Sequence, residues 1–442
     1  MANSKTSTKM RPASSAKRAA IAGMAGAVMD WYDFYIYGLV AAVVFPKLFF
    51  PLTNPANSTL LTFATFGVGF LARPLGGIVF GHYGDRIGRK AMLVLTLLMM
   101  GTGTAAVGFL PTYADVGLLA PVLLVILRFV QGFALGGEWG GAALMAVEHA
   151  PDRRRGFFGS FVQVGASIGF LTATAVVFLC SSLTSSEQFL AWGWRIPFLL
   201  SVFVVLGGYW VRRGVDETPE FVHAVKETQT EVSVPLLEAL RRHPTAFVAI
   251  IGMRLAELVG FFTVTVFALN YGVGQGIPRN QLLNALLAIG AVAIVLIPLC
   301  GALSDRIGRR PVFVAGAVIG VLGAFPLFWA IESHNLVLIT LAFVLVANLS
   351  HDPMVAVQQP LFTEMFGPAF RYSGAGFAYQ LASAIAGGFT PFVAAWLSQR
   401  DGGGYGSVAT FLACACLASV LVGLVFSGPG ASATASLRKK TV

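Results

Sequence analysis

"GHYGDRIGRK" (residues 81–90) and "GALSDRIGRR" (residues 301–310) are near-copies of one charged segment, with Asp85 and Asp305 standing 220 positions apart. Each copy interrupts long apolar sequence on both sides, and each reads Asp-Arg-Ile-Gly-Arg followed by a further base. A weaker echo comes after each: "EHAPDRRRG" from Glu148 and "EMFGPAFRYSG" from Glu364 both set an Arg, Arg155 or Arg371, seven residues after the acid. Two loops that recur in the same order predict a chain built from two similar halves. Residues 212–244, the only long polar stretch inside the chain, divide them.

The rest of the sequence says what the halves are made of. Of 442 residues 56% are hydrophobic and 11% charged, with Lys and Arg giving a net charge of +10, whereas a soluble domain carries about 25% charged residues. A hydrocarbon core of roughly 30 Å needs about 20 apolar residues per helix. Twelve such stretches can be counted, near 19–46, 58–81, 91–110, 117–146, 157–182, 195–211, 245–272, 281–302, 311–331, 336–362, 372–398 and 405–427. The expected fold is an all-α integral membrane protein of twelve transmembrane helices in two pseudo-symmetric six-helix bundles. Its parts are a tail (1–18), an N-terminal bundle (19–211), a linker (212–244), a C-terminal bundle (245–427) and a second tail (428–442).

Placement of the 30 basic residues sets the orientation. With the N-terminus inside, inner tails and loops hold 23 of them, while the outer loops hold only Lys47, Arg195, Arg279 and Arg400. Lys and Arg concentrate on the cytoplasmic side, so both termini are expected there. The positive balance then reflects topology and an anionic inner leaflet, and nucleic acid is not an expected partner. The polar, basic first eighteen residues do not resemble a cleavable signal peptide. Cys180, Cys300, Cys414 and Cys416 all lie in apolar segments, without zinc or disulfide spacing. No metal or cofactor is expected, and no Gly-x-x-x-x-Gly-Lys-Ser/Thr nucleotide loop is present.

These motifs give the chain a family resemblance. Gly81, Asp85, Arg86, Gly88, Arg89 and Lys90, then Arg128, Gly132 and Gly136, Glu148, Pro151, Arg155 and Gly156, and Glu217, Thr218 and Pro219 resemble the signatures of the major facilitator superfamily, a group of repeat-built transporters with a midplane site. Within it, "DWYDFYIYG" (30–38), "FLARPLGG" (70–77), "GGEWGGAA" (136–143) and "WGWRIPF" (192–198) look like the metabolite:proton symporters. The sequence is similar to shikimate carriers over nearly all of residues 19–427, through "RHPTAF", "FALNY", "VQQPLFTEMFG" and "RYSGAG". The resemblance implies the major facilitator fold, alternating access, a bacterial inner-membrane location and function as a monomer. It also implies that the repeated charged loops latch the halves together on the cytoplasmic side, through Gly81, Asp85, Arg86, Gly88, Arg89, Asp305, Arg306, Arg309, Glu148, Arg155, Glu364 and Arg371. The plainer alternative is a topology anchor that turns sharply at Gly81, Gly84 and Gly88.

Charge within a span is costly, about 2.5–3.5 kcal/mol at mid-bilayer on insertion scales, so each such residue is a candidate for function. The spans contain Asp30, Asp33, Arg73, Arg128, Glu138, Arg254, Glu257, His351 and Asp352. Asp30 and Asp33 share a face of the first span, with Tyr37 one turn on. Arg128 matches the Arg that sugar porters of the superfamily set opposite a first-span acid. Asp33 is thus the expected proton carrier, with Arg128 competing for it and a permanent ion pair as the alternative. Asp30, Glu138 and His351 are further proton-site candidates. A carboxylate substrate calls for a desolvated guanidinium, either Arg128 or Arg254, although Glu257 three residues after Arg254 also fits a local salt bridge. Arg73 is expected to snorkel or to support the latch.

In the tenth span, "VLVANLSHDPMVAVQQP", Asn348, Asp352 and Gln359 lie on one stripe and His351 and Gln358 on the next, where Pro353 is expected to break or kink the helix. With Asn270 these groups suit a polyhydroxylated carboxylate. The chain is therefore expected to import shikimate or a close relative with a proton. Quinate, protocatechuate, citrate and 2-oxoglutarate are alternative substrates, a non-transporting membrane receptor is a further alternative, and no enzymatic chemistry is indicated.

Overall fold

A computed structural model describes residues 13–51, 54–87, 89–137, 150–151, 154–213, 235–366 and 371–426. In hydrocarbon the backbone must satisfy its own N–H and C=O groups, and the helix does so within one segment. Twelve long helices result: α1 (Ala13–Val43), α2 (Pro55–Ile87), α3 (Arg89–Phe109), α4 (Leu119–Gly136), α5 (Arg155–Leu183), α6 (Arg195–Arg213), α7 (Pro244–Gly274), α8 (Arg279–Ile307), α9 (Arg309–Glu332), α10 (Leu336–Glu364), α11 (371–400) and α12 (Gly406–Phe426). Among the described residues, nine of them are long and apolar enough to cross a membrane by length and composition.

The two-half design shows in which helices touch. In the first six, α1 packs on α5, α2 on α4 and α3 on α6; in the second six, α7 packs on α11, α8 on α10 and α9 on α12. Every pair recurs six helices later. The halves meet through α5 against α8 and α2 against α11, which the same relation exchanges.

The repeated charged segment differs from the expected ten-residue loop. Helix α2 runs on to Ile87 and α3 starts at Arg89, so the backbone at Gly81, Gly84, Asp85 and Arg86 is helical. In the second half the reversal is made at Gly308 alone, with φ +94° between α8 and α9. A residue with a Cβ rarely adopts that φ, so glycine supplies the whole turn. Gly88, at the matching place in the first half, lies outside the described residues, as do the side chains of Gly81, Asp85, Arg86 and Arg89.

Pro353 does not break α10. A π-helical stretch, Val344–His351, immediately precedes it, and ordinary helix resumes at Asp352. The wider turn accommodates the missing proline donor without an interruption, and such bulges are frequent at functional sites. Two more π-helical stretches, Thr263–Phe267 in α7 and Ser383–Gly387 in α11, lie in the same half.

Candidate functional site

The polar residues of the spans gather in two separate places. The larger is a chamber of about 630 Å³ of non-atom space between the halves. Its walls come from α1 (Trp31, Tyr35), α5 (Gln163, Ser167, Phe170), α7 (Arg254, Glu257, Phe261, Phe262), α8, α10 (Asn348, His351, Asp352) and α11 (Tyr379).

Arg254 is 2% exposed and thoroughly engaged. Its Nε donates to Glu257 Oε1 at 2.6 Å, and Nη1 donates to the Tyr379 carbonyl at 2.6 Å and to Ser383 Oγ at 2.7 Å. Its Cζ also lies 3.3 Å from the Tyr379 ring centroid. The local salt bridge and the chamber wall are therefore one object. Glu257 Oε2 has no hydrogen-bond partner among the described residues.

On α10 the carboxylate of Asp352 is held at both oxygens. Asn348 Nδ2 donates to Oδ2 at 2.7 Å and also to the Ile289 carbonyl of α8 at 3.0 Å, while His351 Nδ1 is 3.0 Å from Oδ1. The His351 ring lies 4.8 Å from that of Phe261. Asn348 Oδ1, like Glu257 Oε2, is a buried acceptor without a partner among the described residues. Two acceptors on residues of the chamber wall are thus without partners among the described residues, each almost wholly covered in this structure.

The second place is a smaller cavity inside the first half, lined by Asp33, Phe34, Gly69, Arg73, Met100, Arg128, Gln131, Gly132 and Leu135. Asp33 and Arg128 both contribute to its wall. Arg128 leans on aromatic faces, its Cζ 4.1 Å from the ring centroid of Tyr37 and 4.8 Å from that of Phe34. Tyr37 bonds Thr65 Oγ1 at 2.7 Å. Neither Arg128 nor Tyr37 lines the chamber. Arg73 does not snorkel. It is 2% exposed, with Cζ 3.9 Å from the centroid of Phe70 and 4.5 Å from that of Phe34. Four packed rings, Phe34, Phe66, Phe70 and Phe262, link the two places, since Phe262 faces the chamber and Phe34 the cavity.

Other predicted residues are placed elsewhere. Asn270 donates from Nδ2 to the Ala42 carbonyl at 2.6 Å, joining α7 to α1 away from the chamber. Gln358 and Gln359 are completely buried, beyond the chamber toward the Gly308 end, and their amide atoms have no partner among the described residues. The backbone at Asp30 and Arg371 is helical, but their side chains, and Glu138 and Glu148 altogether, lie outside the described residues.

Both ends of the chamber are bridged between the halves. At the Gly308 end Asp305 accepts from the backbone N–H groups of Gly156 (2.8 Å) and Phe157 (2.9 Å), which open α5. A carboxylate there also meets the positive end of the helix dipole. A Cβ on Gly156 would meet Gly301 O at 2.6 Å, so this approach requires glycine. Arg309 pairs with Glu364 beside it, whereas Arg306 is exposed. At the opposite end, besides Asn270, Gln399 Nε2 donates to Ala56 O at 2.8 Å and Ser181 Oγ to Asn280 Oδ1 at 2.6 Å.

Sequence reasoning missed Trp31, Tyr35, Ser167 and Tyr379 in the chamber wall. Trp31 and Tyr35 are four apart and stacked at 5.2 Å, a spacing visible in "DWYDFYIYG" but equally suited to lipid contact.

A family model described as the Major Facilitator Superfamily matches residues 56–391 and 276–440. The chain is 52% identical over 414 residues to a shikimate transporter of Escherichia coli K12, covering 93% of this chain and 94% of the relative. It is 40% identical over 411 residues to an inner membrane metabolite transport protein of the same organism, covering 91% and 92%. Among solved structures it resembles the E. coli xylose transporter XylE in a partially occluded inward-open conformation, at TM-score 0.73 and 17% identity, covering 94% of this chain and 98% of that one.

Proposed function

The chain belongs to the major facilitator superfamily, and on that footing we propose that it is a proton-coupled symporter importing shikimate or a closely related hydroxylated carboxylate by alternating access. It is a transporter and not an enzyme. The observation that carries the substrate class is the chamber itself, where one guanidinium sits among spare oxygen acceptors between two bundles. A ring bearing one carboxylate and several hydroxyls matches that set. The carboxylate approaches Arg254, and hydroxyls donate to Glu257 Oε2 and Asn348 Oδ1, satisfying buried acceptors that otherwise cost about 1–3 kcal/mol each. The similarity to the E. coli shikimate transporter supports the same substrate.

Asp33 takes the coupling proton beside Arg128, within a path that includes Asp30 and Glu138, while His351, beside Asp352, is the further proton-site candidate on the chamber side. Entry of a monoanion with one proton makes the cycle near electroneutral. The protein is a monomer in the bacterial inner membrane with both termini cytoplasmic, which puts the Gly308 end inside. Asp305, Gly156 and the Arg309–Glu364 pair then form the cytoplasmic latch, joined in the first half by Asp85, Arg86, Arg89 and Arg155.

Purified protein in liposomes, given labelled shikimate and an inward proton gradient, should accumulate it above the external concentration. Quinate should compete better than citrate or 2-oxoglutarate. Equilibration without accumulation would remove the coupling claim, and preferred competition by citrate would remove the substrate claim.

A further inference from the structure

The cavity inside the first half has a chemistry that binding the transported solute does not use. Arg73 and Arg128 are each 2% exposed and both face it. Nε and Nη2 of Arg73 and Nε and Nη2 of Arg128 have no hydrogen-bond partner among the described residues. Both guanidinia lie against the single ring of Phe34, at 4.5 and 4.8 Å, so two like charges share one desolvated space. Asp33 is the one carboxylate in the cavity wall among the described residues. Aromatic faces attract a cation but by about 0.5–2 kcal/mol, well short of the several kcal/mol that removing an ion from water costs.

Four buried donor atoms on two side chains of one cavity wall call for acceptors, and among the described residues two guanidinia there meet one carboxylate. The cavity is much smaller than the chamber, with room for about one water-sized occupant, and its walls include the apolar side chains of Phe34, Met100 and Leu135. We infer that it binds one small inorganic anion of halide size between the guanidinia of Arg73 and Arg128. Gln131, which also lines the cavity, donates from Nε2 to Thr104 Oγ1 at 2.8 Å and leaves Oε1 without a partner among the described residues. The site is distinct from the chamber, so it acts on the transporter without competing with the solute.

The test uses the full chain in detergent and bromide as the probe. Crystals grown in bromide should show an anomalous peak between Arg73 and Arg128. Thermal melting at constant ionic strength should shift upward in bromide or chloride relative to gluconate, with saturation, because a ligand bound only by the folded state stabilises it. The Arg73→Gln variant should weaken halide affinity about tenfold or more, the loss of one charge-assisted contact. No peak between the two guanidinia in the wild-type protein overturns the inference and leaves water as the occupant. So does a halide-specific shift that Arg73→Gln retains in full. Should that variant fail to fold, the wild-type anomalous map decides alone. None of these readouts involves transport, so the anion site stands or falls independently of the proposed symport.

Discussion

Arg254 and Arg128 are equally buried, each 2% exposed, yet their surroundings differ in kind. Arg254 spends its donors on Glu257, a backbone carbonyl and a serine, and its Glu257 partner leaves an oxygen to the chamber. Arg128 and its neighbour Arg73 rest on aromatic faces and leave guanidinium nitrogens unpartnered among the described residues. The first arrangement pairs Nε and Nη1 of Arg254, leaves Nη2 outside those bonds and has unpartnered acceptors beside it. The second is a pair of guanidinia held on aromatic faces beside Asp33, the setting that the proposed proton and anion sites call for. The half that carries Arg254 also carries π-helical stretches within α7, α10 and α11, whereas the first half has one at Phe189–Gly193, just before α6.

This contrast makes measurable claims. The largest effect is expected from Arg254→Met or Glu257→Leu, because removing one member of a buried pair strands the other and costs about 3–5 kcal/mol. Melting in detergent should fall for each single variant and recover in the double variant, while shikimate uptake stays lost in all three. Recovered uptake in the double variant would make the pair structural. Next comes Asp305→Asn. Weakening charge-assisted bonds to Gly156 and Phe157 should favour opening at that end by about 2 kcal/mol, roughly thirtyfold, read as faster labelling of a cysteine placed in the latch.

Asp33→Asn should abolish accumulation driven by the proton gradient while preserving counterflow exchange. With one proton per cycle, each imposed pH unit is worth about tenfold accumulation, so a gradient of one unit should lose that factor. Undiminished uphill uptake in this variant would falsify the assignment of exchangeable charge to the first half. The smallest effect belongs to Asn348→Ala. It withdraws an acceptor from the chamber and should raise the KM for shikimate about fivefold to tenfold, near 1 kcal/mol, with a lesser change for a substrate without ring hydroxyls.

Much of the architecture was legible in the sequence. Hydrophobic length and the Asp85 and Asp305 repeats placed twelve helices in two halves, because transfer into hydrocarbon is a property each segment carries by itself. Reading failed where several helices act together. Gly81 and Gly84 look like turn residues, but the backbone there is helical, and in the second half a single glycine, Gly308, reverses the chain. Pro353 looks like a break, and a π-helical stretch absorbs it. Arg73 looks able to reach the headgroups, but Phe34 and Phe70 hold it inside.

The sequence by itself determined that the chain crosses a membrane, that it is doubled, and which few polar side chains enter hydrocarbon. Only the tertiary structure decided that these residues divide into two sites, with Arg254, Glu257, Asn348, His351 and Asp352 around one space and Asp33, Arg73 and Arg128 around another. The reason is physical. Membrane helices are apolar on nearly every face, so the periodicity that orients an amphipathic helix in water carries little information in lipid. Their rotation is set instead by close packing against neighbouring helices.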